Sequence, residues 1–527
     1  MNRPSGLTPV SPSEFLATPA RRPPRAPLAI CLRRPLGALL AICLLEASWA
    51  PAPAWAGGFF LPTRGARALS HGGATVASGD DLNAMWSNPA TLFRSKGLVV
   101  VWGDLGLINL DTSFKREESG LVSSLDDRYP SGFPKVTSSV WFPDPALAIG
   151  SDFGLRQWMF VLGVYGPYAG ATRWPDDDPR CGPGQSASAC ATQCYQDPGS
   201  CSWNLGPQRY SLIEPERSLL HYQATAAFRP MDRLAVGAGI FLASFMMRER
   251  MKISAYPGIF GWAEDPALDA LIELKANDYT RVGAVLGVWG QPLPYLELGL
   301  AFSTPLEVRA KGTLSVRLPS HYYFGDVTVT GDKIAVEMSF PMVLRAGARY
   351  LHPSKLFDLE LQLSWEHWST HRAVVVRPRE TIQFTDVPGL GAYRVKAFTV
   401  RESYNDTVSL HLGGSVKAYR ELLELRAGYF FELGAIPDRT YGVQTIDGDK
   451  HCAALGVSLQ RWGLRLDVTY AFVHLMDRTV TRSEKRQVNP LYEEDTGPYV
   501  DGRPTIIGNG RYQARYHIVA ASLSYRY

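Results

Sequence analysis

The chain has 527 residues, of which 46% are hydrophobic and 20% charged. It is too long for one ordinary soluble domain and too apolar for disorder, and it lacks the run of about 20 apolar residues that a membrane-spanning helix needs. Residues 1–56 hold six arginines, no lysine and two glutamates. Subtracting these from the 54 basic and 50 acidic side chains of the whole chain leaves 48 of each. The remainder is neutral, so we expect no nucleic-acid partner.

The N-terminal segment has the features of a secretory signal peptide in their usual order. Arg33 and Arg34 precede an apolar stretch at 36–45, and small residues then lead to an A-x-A site at 54–56. A membrane anchor would need an apolar stretch about twice as long. We therefore interpret residues 1–56 as an export signal with a long n-region rich in proline and arginine, whose length leaves the true start codon open.

Four of the five cysteines after residue 56 lie close together in a polar segment: Cys181, Cys190, Cys194 and Cys201. In an exported protein this spacing favours two disulfides that tie down a loop, with three connectivities open. A metal site is the alternative, but neither a C-x-x-C spacing nor a nearby histidine supports it. We expect neither a metal nor a cofactor, and we expect Cys452 to be a small side chain on a strand.

Residues 57–96 precede the alternating part of the chain and lack strand-like alternation. They contain several glycines and the run Asp80-Asp81-Leu82-Asn83-Ala84-Met85-Trp86-Ser87-Asn88-Pro89-Ala90. About forty residues of short helices and turns ahead of a barrel can fill its bore, so we predict a hatch that plugs the lumen. Asp80 and Asp81 would cap a short helix or pair with lumen arginines. Asn88 and Pro89 are better suited to shape this hatch than to touch a ligand.

Strict alternation of apolar and polar residues recurs along the rest of the chain and predicts strands with one apolar face. In 358–366, for example, Leu359, Leu361 and Leu363 alternate with polar residues, and the same pattern runs to Tyr527. We predict fourteen strands. They are placed near 97–111, 145–153, 157–167, 218–229, 233–253, 278–290, 295–310, 341–351, 358–368, 407–418, 422–432, 451–461, 464–474 and 513–527.

The connections between these strands alternate between long and short. The long segment 168–217, for example, is followed by the short turn 230–232. Long loops at one end and tight turns at the other are typical of an outer-membrane barrel, whereas a soluble β-sandwich shows no such bias. We therefore predict an all-β fold in which residues 97–527 form a 14-stranded antiparallel transmembrane β-barrel. Its polar residues would line the lumen, and its location would be the outer membrane of a Gram-negative type envelope.

With the hatch, the strand layout and the terminal tyrosine together, the sequence resembles the FadL family of outer-membrane transporters for long-chain fatty acids and other hydrophobic compounds. The resemblance extends over residues 57–527. The residues that carry it are Gly57-Gly58-Phe59, Ser70-His71-Gly72-Gly73-Ala74, Asp80-Asp81, Asn88-Pro89-Ala90, Trp365-Glu366-His367-Trp368-Ser369, Leu425-Arg426-Ala427-Gly428-Tyr429 with Pro437-Asp438, and the terminal strand from His517.

This resemblance implies passive transport through a plugged barrel without an open aqueous pore. The ligand would be captured near the extracellular loops, bound inside, and released sideways into the membrane at an inward kink of the third strand. Phe59 matches the family's N-terminal aromatic and is a candidate ligand contact, with packing of a plug residue on the wall as the alternative. We place the kink at Gly163, Gly166 and Pro167, because glycine and proline mark bulges in strands; an ordinary strand end at Pro167 is the alternative.

Two further groups of residues are candidates for ligand binding. Arg345 and Arg349 share one face of the eighth predicted strand and would meet a carboxylate through charge-assisted hydrogen bonds. The alternative is pairing with lumen acids such as Glu360 or Asp467. Residues 263–276 are predicted as a short amphipathic helix in an extracellular loop. Its apolar residues, among them Leu268, Leu271 and Ile272, would form part of a capture groove or cap the barrel.

The expected partners are a hydrophobic small molecule, outer-membrane lipid and lipopolysaccharide, and the barrel-assembly machinery, which would recognise Tyr527. We expect a monomer that is not an enzyme, since the chain has no phosphate loop, no H-E-x-x-H and no G-x-S-x-G. Two other functions remain open on the same scaffold. One is a surface adhesin or receptor that uses the loop 168–217, and the other is an outer-membrane hydrolase.

Overall fold

The computed structural model describes residues 63–117, 133, 135–174, 208–256, 268–319, 321–387, 391–488 and 506–527. The predicted signal peptide, Phe59 and the four clustered cysteines lie outside these ranges and stay predictions. The helices are α1 (Ala66–Ser70), α2 (Ala84–Ser87) and the 3₁₀ helices Pro89–Ser95, Tyr322–Phe324, Trp368–Thr370 and Asp438–Thr440. Within the described residues, no helix is both long enough and apolar enough to span a membrane.

Strands make up most of the described chain. They are β1 (Val100–Arg116), β2 (Val136–Ser151), β3 (Trp158–Ala171), β4 (Leu212–Met231), β5 (Leu234–Ser254), β6 (Asp269–Leu293), β7 (Leu296–Ser303), β8 (Leu306–Arg317), β9 (Thr328–Thr330), β10 (Lys333–Phe340), β11 (Val343–Leu351), β12 (Phe357–Glu366), β13 (Ala373–Pro378), β14 (Gln383–Val387), β15 (Gly391–Arg394), β16 (Phe398–Arg401), β17 (Thr407–Tyr419), β18 (Leu423–Glu432), β19 (Lys450–Arg461), β20 (Leu464–Leu475), β21 (Arg478–Val480) and β22 (Gly510–Arg526).

Within the described ranges, fourteen of these strands close into an antiparallel barrel. Their order is β1, β2, β3, β4, β5, β6, β7, β11, β12, β17, β18, β19, β20 and β22. The sheet closes where β22 pairs back with β1 along the whole length of β1. Each of the fourteen predicted strands coincides with one of them, so the predicted 14-stranded transmembrane barrel is confirmed.

On the long-loop side, further strands extend the sheet beyond the fourteen-stranded closed barrel. There β8 pairs with β6 and β10, β10 with β13, and β13 with β16. Pro305 separates β7 from β8, and Pro341 separates β10 from β11, because a proline cannot donate to the ladder. A small separate sheet of β9, β14 and β15 lies at this end.

The two faces of the wall match the alternation in the sequence. On β12, Leu359, Leu361 and Leu363 are 51%, 49% and 52% exposed, whereas the intervening Glu360 and Gln362 are buried. In a membrane barrel the exposed apolar row faces lipid and the buried polar row faces the lumen. The same division holds on β20 and β22.

The prediction of a helix over 263–276 is wrong. From Asp269 onward this segment is the start of β6, which pairs with β5 and β8; residues 263–267 lie outside the described ranges. Ala270, Ile272 and Leu274 are buried at every second position. Leucine and alanine at this spacing fit a period of 2 as well as one of 3.6, and pairing with two neighbouring strands decides between them.

Candidate functional site

The hatch, of which residues 63–96 are described, lies inside the lumen and is bound to the wall through its backbone. The amides of Thr75 and Val76 both donate to Gln362 Oε1, at 3.0 and 2.9 Å. The amide of Ala77 donates to Glu360 Oε1 at 2.7 Å. Lumen-facing polar side chains of β12 therefore satisfy backbone groups that a buried turn would otherwise leave unpaired.

Charged residues join the hatch to the wall at the periplasmic end of the barrel. We call Arg67, Asp80, Arg94, Glu297, Glu424 and Arg465 the periplasmic ion-pair layer. Arg67 Nη2 donates to Asp80 at 2.7 Å and to Glu424 at 2.9 Å, and Arg94 Nη2 donates to Glu297 at 2.6 Å. Arg465 Nη1 lies 3.5 Å from Asp80. The three wall residues are each the second residue of a strand that follows a short turn, and short turns are periplasmic in such barrels.

The side chains of the hatch motif bind other parts of the hatch and the adjacent wall. Asp80 pairs with arginines, as just described, whereas Asp81 Oδ1 accepts from the amide of Asn83 ahead of α2. Asn88 is fully buried: its Nδ2 donates to the carbonyls of Val76 and Val288, and its Oδ1 accepts from the amide of Ala90. Pro89 begins the 3₁₀ helix that Asn88 caps. Every polar atom of the Asn88 side chain is thus engaged with backbone.

Glycines on the lumen face of the wall let the hatch backbone approach the sheet directly. A Cβ added to Gly428 would overlap the backbone nitrogen of Gly72, and one added to Gly413 would overlap the carbonyl of His71. Gly72 itself has a φ of +62°, a conformation that favours glycine. Sequence reasoning missed these wall glycines, although their position in the polar, lumen-facing rows of the alternation is a signal that could have found them.

Aromatic side chains line the lumen on the extracellular side of the hatch. We call Trp86, Tyr165, Tyr168, Phe340 and Trp368 the aromatic lining. The ring centroids of Tyr168 and Phe340 are 4.8 Å apart, and those of Tyr168 and Trp368 are 6.1 Å apart. This part of the lumen suits an apolar ligand, in contrast to the charged periplasmic end.

Arg345 lies beside the aromatic lining. It is 3% exposed, and its Cζ lies 4.4 Å from the centroid of the Trp86 ring. Within the described residues, its Nη1 has no hydrogen-bond partner. Glu366, Tyr165 and Tyr168 lie within electrostatic reach. A buried guanidinium nitrogen without a partner is costly and attracts an anion.

Arg349, on the same face of β11, is occupied. Its Nε donates to Asp358 at 2.7 Å, and its Nη1 donates to Glu297 at 3.2 Å. The acids that the sequence suggested as partners are engaged elsewhere: Glu360 binds the hatch, and Asp467 accepts from Arg426 Nη2 at 2.9 Å. The two arginines therefore differ, since Arg349 holds the wall together and Arg345 retains an open donor.

The ladder between β2 and β3 is interrupted, and we call the stretch where the two strands are not paired the β2/β3 gap. The two strands pair from Ser151–Phe160 to Ala146–Tyr165 and no further, although both strands continue. On β3, Gly166 and Pro167 follow, and the register with β4 shifts between Tyr165 and Tyr168. Beyond Ala146, β2 contains two prolines, Pro145 and Pro143, which cannot donate to a ladder. Gly163 serves a different purpose, because it faces the side chain of Met85 in the hatch.

The remaining candidate ligand-binding residues lie away from the aromatic lining and the β2/β3 gap. Leu268 packs with Tyr256 and Phe324 in a separate apolar cluster. Leu271 is half-buried and Ile272 is buried on β6. Among the described residues, Cys452 is a buried free thiol, and no cluster of side chains is arranged to hold a metal ion.

The sequence matches a known family of outer-membrane proteins. The family model described as outer membrane protein transport protein (OMPP1/FadL/TodX) matches residues 217–527. The chain belongs to this FadL/TodX family. The resemblance noted in the sequence is thereby confirmed, and no protein among those of curated function matches the sequence. As a member of this family, the protein resides in the outer membrane and transports hydrophobic compounds.

Solved structures of FadL/TodX proteins share the fold at low sequence identity. A Pseudomonas aeruginosa FadL homologue is 15% identical with a TM-score of 0.65, and the alignment covers 89% of this chain and 99% of that one. The P. putida toluene transporter TodX is 17% identical with a TM-score of 0.56, and the Ralstonia pickettii toluene transporter TbuX is 15% identical with a TM-score of 0.53. Both alignments again cover 89% of this chain and 99% of the other.

Replacing Gly428 with alanine should loosen the hatch. Backbone lies on both sides of the contact with Gly72 and cannot yield as a side chain would, so overpacking should cost about 1–3 kcal/mol. We expect faster hydrogen–deuterium exchange in residues 63–96. Gly290→Ala is the matched control, because its Cβ would meet nothing nearer than the Arg233 carbonyl at 3.8 Å. Equal exchange in both variants would contradict the close contact.

Proposed function

We propose that this FadL/TodX-family protein takes up long-chain fatty acids, with the ligand carboxylate bound by Arg345. The observation that carries this proposal is the open Nη1 of Arg345, a buried cation beside the aromatic lining. A carboxylate supplies a charge-assisted hydrogen bond at that atom. The stacking of the guanidinium on Trp86 holds it in place for such a contact.

The surroundings of Arg345 suit an acyl chain. Tyr168 lies within electrostatic reach of Arg345, and its ring contacts those of Phe340 and Trp368. An acyl chain would be bound among apolar groups there, and each buried methylene contributes about 0.8 kcal/mol. A ligand with one charged end and a long apolar remainder therefore matches both parts of the site.

A monoaromatic hydrocarbon is the second candidate substrate. TodX and TbuX are described as toluene transporters, and an aromatic lining suits an aromatic ring. A hydrocarbon, however, leaves the Nη1 of Arg345 without a partner. We therefore favour the fatty acid.

We also propose that the ligand leaves sideways through the β2/β3 gap. Passage towards the periplasm would take an apolar chain through the ion-pair layer around Arg67 and Asp80, which costs free energy because charged groups would lose their partners. The β2/β3 gap, in contrast, begins at Tyr165 of the aromatic lining, where the pairing of β2 with β3 ends, and this supports an exit through the wall. Capture at the extracellular loops completes the proposed route.

Arg345→Met should lower fatty-acid uptake by at least about tenfold at subsaturating ligand, the loss expected for one charge-assisted hydrogen bond. Uptake of toluene should not change, because the methionine retains the unbranched stem of the side chain and a hydrocarbon needs no cation. The measurement is uptake of labelled oleate and of labelled toluene by cells that depend on this protein, with folding checked by heat-modifiable gel mobility.

Arg420→Met is the control for this experiment, since Arg420 is exposed at a periplasmic turn. Fatty-acid uptake by the Arg345 variant at the level of the control would contradict the binding role. Uptake of toluene but not of oleate by the unaltered protein would favour the second candidate substrate.

Gly166→Leu should narrow the gap. A Cβ there would lie 3.2 Å from the Leu219 carbonyl and 3.3 Å from Leu220 Cδ2, so a leucine side chain has to extend into the opening. We expect uptake of any transported ligand to fall roughly tenfold, which corresponds to about 1.4 kcal/mol added to the exit barrier. Gly290→Leu is the matched control on β6, and equal uptake by the two variants would argue against lateral release.

A further inference from the structure

An ion pair lies across the inner mouth of the β2/β3 gap. The guanidinium of Arg64, at the start of the described hatch, contacts the carboxylate of Asp144 through its Nη2. Asp144 lies between Pro143 and Pro145, beyond the last residue pair of β2 with β3. The two side chains are only 9% and 16% exposed. Among the described residues, Asp144 is the side chain in ion-pair contact with Arg64, and Asp104 lies within electrostatic reach.

A second nitrogen of Arg64 faces the opposite side of the gap. Its Nη1 lies 3.7 Å from the position that a Cβ of Gly166 would occupy. The guanidinium therefore spans from Asp144 on β2, which it contacts through Nη2, to Gly166 at the bulge of β3, which its Nη1 faces.

The backbone at Arg64 is anchored without the help of its side chain. The carbonyl of Arg64 accepts from Asn83 Nδ2 at 2.7 Å, and the amide of Ala66 donates to Asp104 Oδ1 at 2.7 Å. The Arg64 side chain can consequently change its partner while the hatch stays in place.

Two guanidinium groups flank one tyrosine at the start of the gap. Tyr165, the last residue of β3 that pairs with β2, lies within electrostatic reach of both Arg345 and Arg64. Arg345 lies next to the aromatic lining, and Arg64 lies next to the β2/β3 gap. A carboxylate that leaves Arg345 for the gap therefore meets a second cation on its way.

An arginine of this protein can hold two carboxylates at once. Arg349 binds Asp358 through Nε and Glu297 through Nη1, and the guanidinium fork has five N–H donors. Arg64, which keeps Asp144 on Nη2, has the remaining donors for a second carboxylate.

We propose that Arg64 is an exit-site residue that binds the carboxylate of the departing ligand in the β2/β3 gap, positioned there by Asp144. This inference rests on the proposed function, since it assumes that the ligand is an acid and that it leaves through the gap. It makes the exit selective for acids. A neutral ligand of the same length gains nothing from Arg64.

The test compares a long-chain fatty acid with its methyl ester, which has the same acyl chain but no charge. Arg64→Met should lower uptake of the acid roughly tenfold, the loss of one charge-assisted contact, and leave uptake of the ester unchanged. Arg64→Lys keeps the positive charge and should restore most of the acid uptake. Equilibrium binding of the acid to the purified protein should not change in Arg64→Met, because Arg345 is intact.

The outcomes separate this inference from the proposed function. Wild-type uptake of the acid together with unchanged uptake in Arg64→Met would overturn the role of Arg64 alone. An equal loss of acid and ester uptake would also overturn it, because it would indicate a structural role in the hatch. Absence of acid uptake by the wild-type protein would contradict the proposed function and the role of Arg64 with it.

Discussion

The structure depends on one constraint, namely that backbone N–H and C=O groups in hydrocarbon must be paired within the protein. Fourteen described strands meet it by closing on each other, with β22 returning to β1. The pairing of β2 with β3 ends midway along β2, at Ala146 and Tyr165. On one side of that break Pro145 and Pro143 lack the donors that would need partners, and on the other side Gly166 and Pro167 carry the bulge. An opening in the wall is thus compatible with the membrane because its edges have fewer backbone groups to satisfy.

The hatch determines which way a ligand can move. Close backbone contacts such as that between Gly72 and Gly428 and the periplasmic ion-pair layer bind it to the wall, so the periplasmic end is charged and closed. The aromatic lining leaves the other side apolar. Two arginines then mark a route for an acid, from Arg345 inside the lumen to Arg64 at the gap. The fold and the family establish transport of hydrophobic compounds, and these two cations are what favour an acidic one.

The sequence was sufficient to predict the barrel because the period of 2 is a local signal that every membrane strand repeats. The same reasoning failed where one spacing fits two structures, as in the segment that opens β6 with Ala270, Ile272 and Leu274. The extensions β10, β13 and β16 were also missed as strands, and β8 was predicted only as far as residue 310, because these strands lie outside the closed barrel and have no need of an apolar outer face. At the site, Arg345 and Arg349 look equivalent in sequence. They differ because Arg349 meets Asp358 across the short β11–β12 turn and Glu297 from β7, whereas Arg345 meets neither. Arg64 likewise depends on Asp144, which is far away along the chain, and no local pattern reveals that pair.

The central claim is that the ligand travels from the aromatic lining through the side of the barrel while the hatch stays in place. The most direct measurement is photo-crosslinking with a long-chain fatty acid that carries a diazirine close to its carboxyl end, followed by mass spectrometry of the labelled peptides. The account predicts labels on β3 around Tyr165, on the hatch at Trp86 and on the stretch of β2 that lies beyond Ala146. Labels concentrated at Arg67 and Asp80, on the periplasmic face of the hatch, would show passage through the hatch and contradict the account.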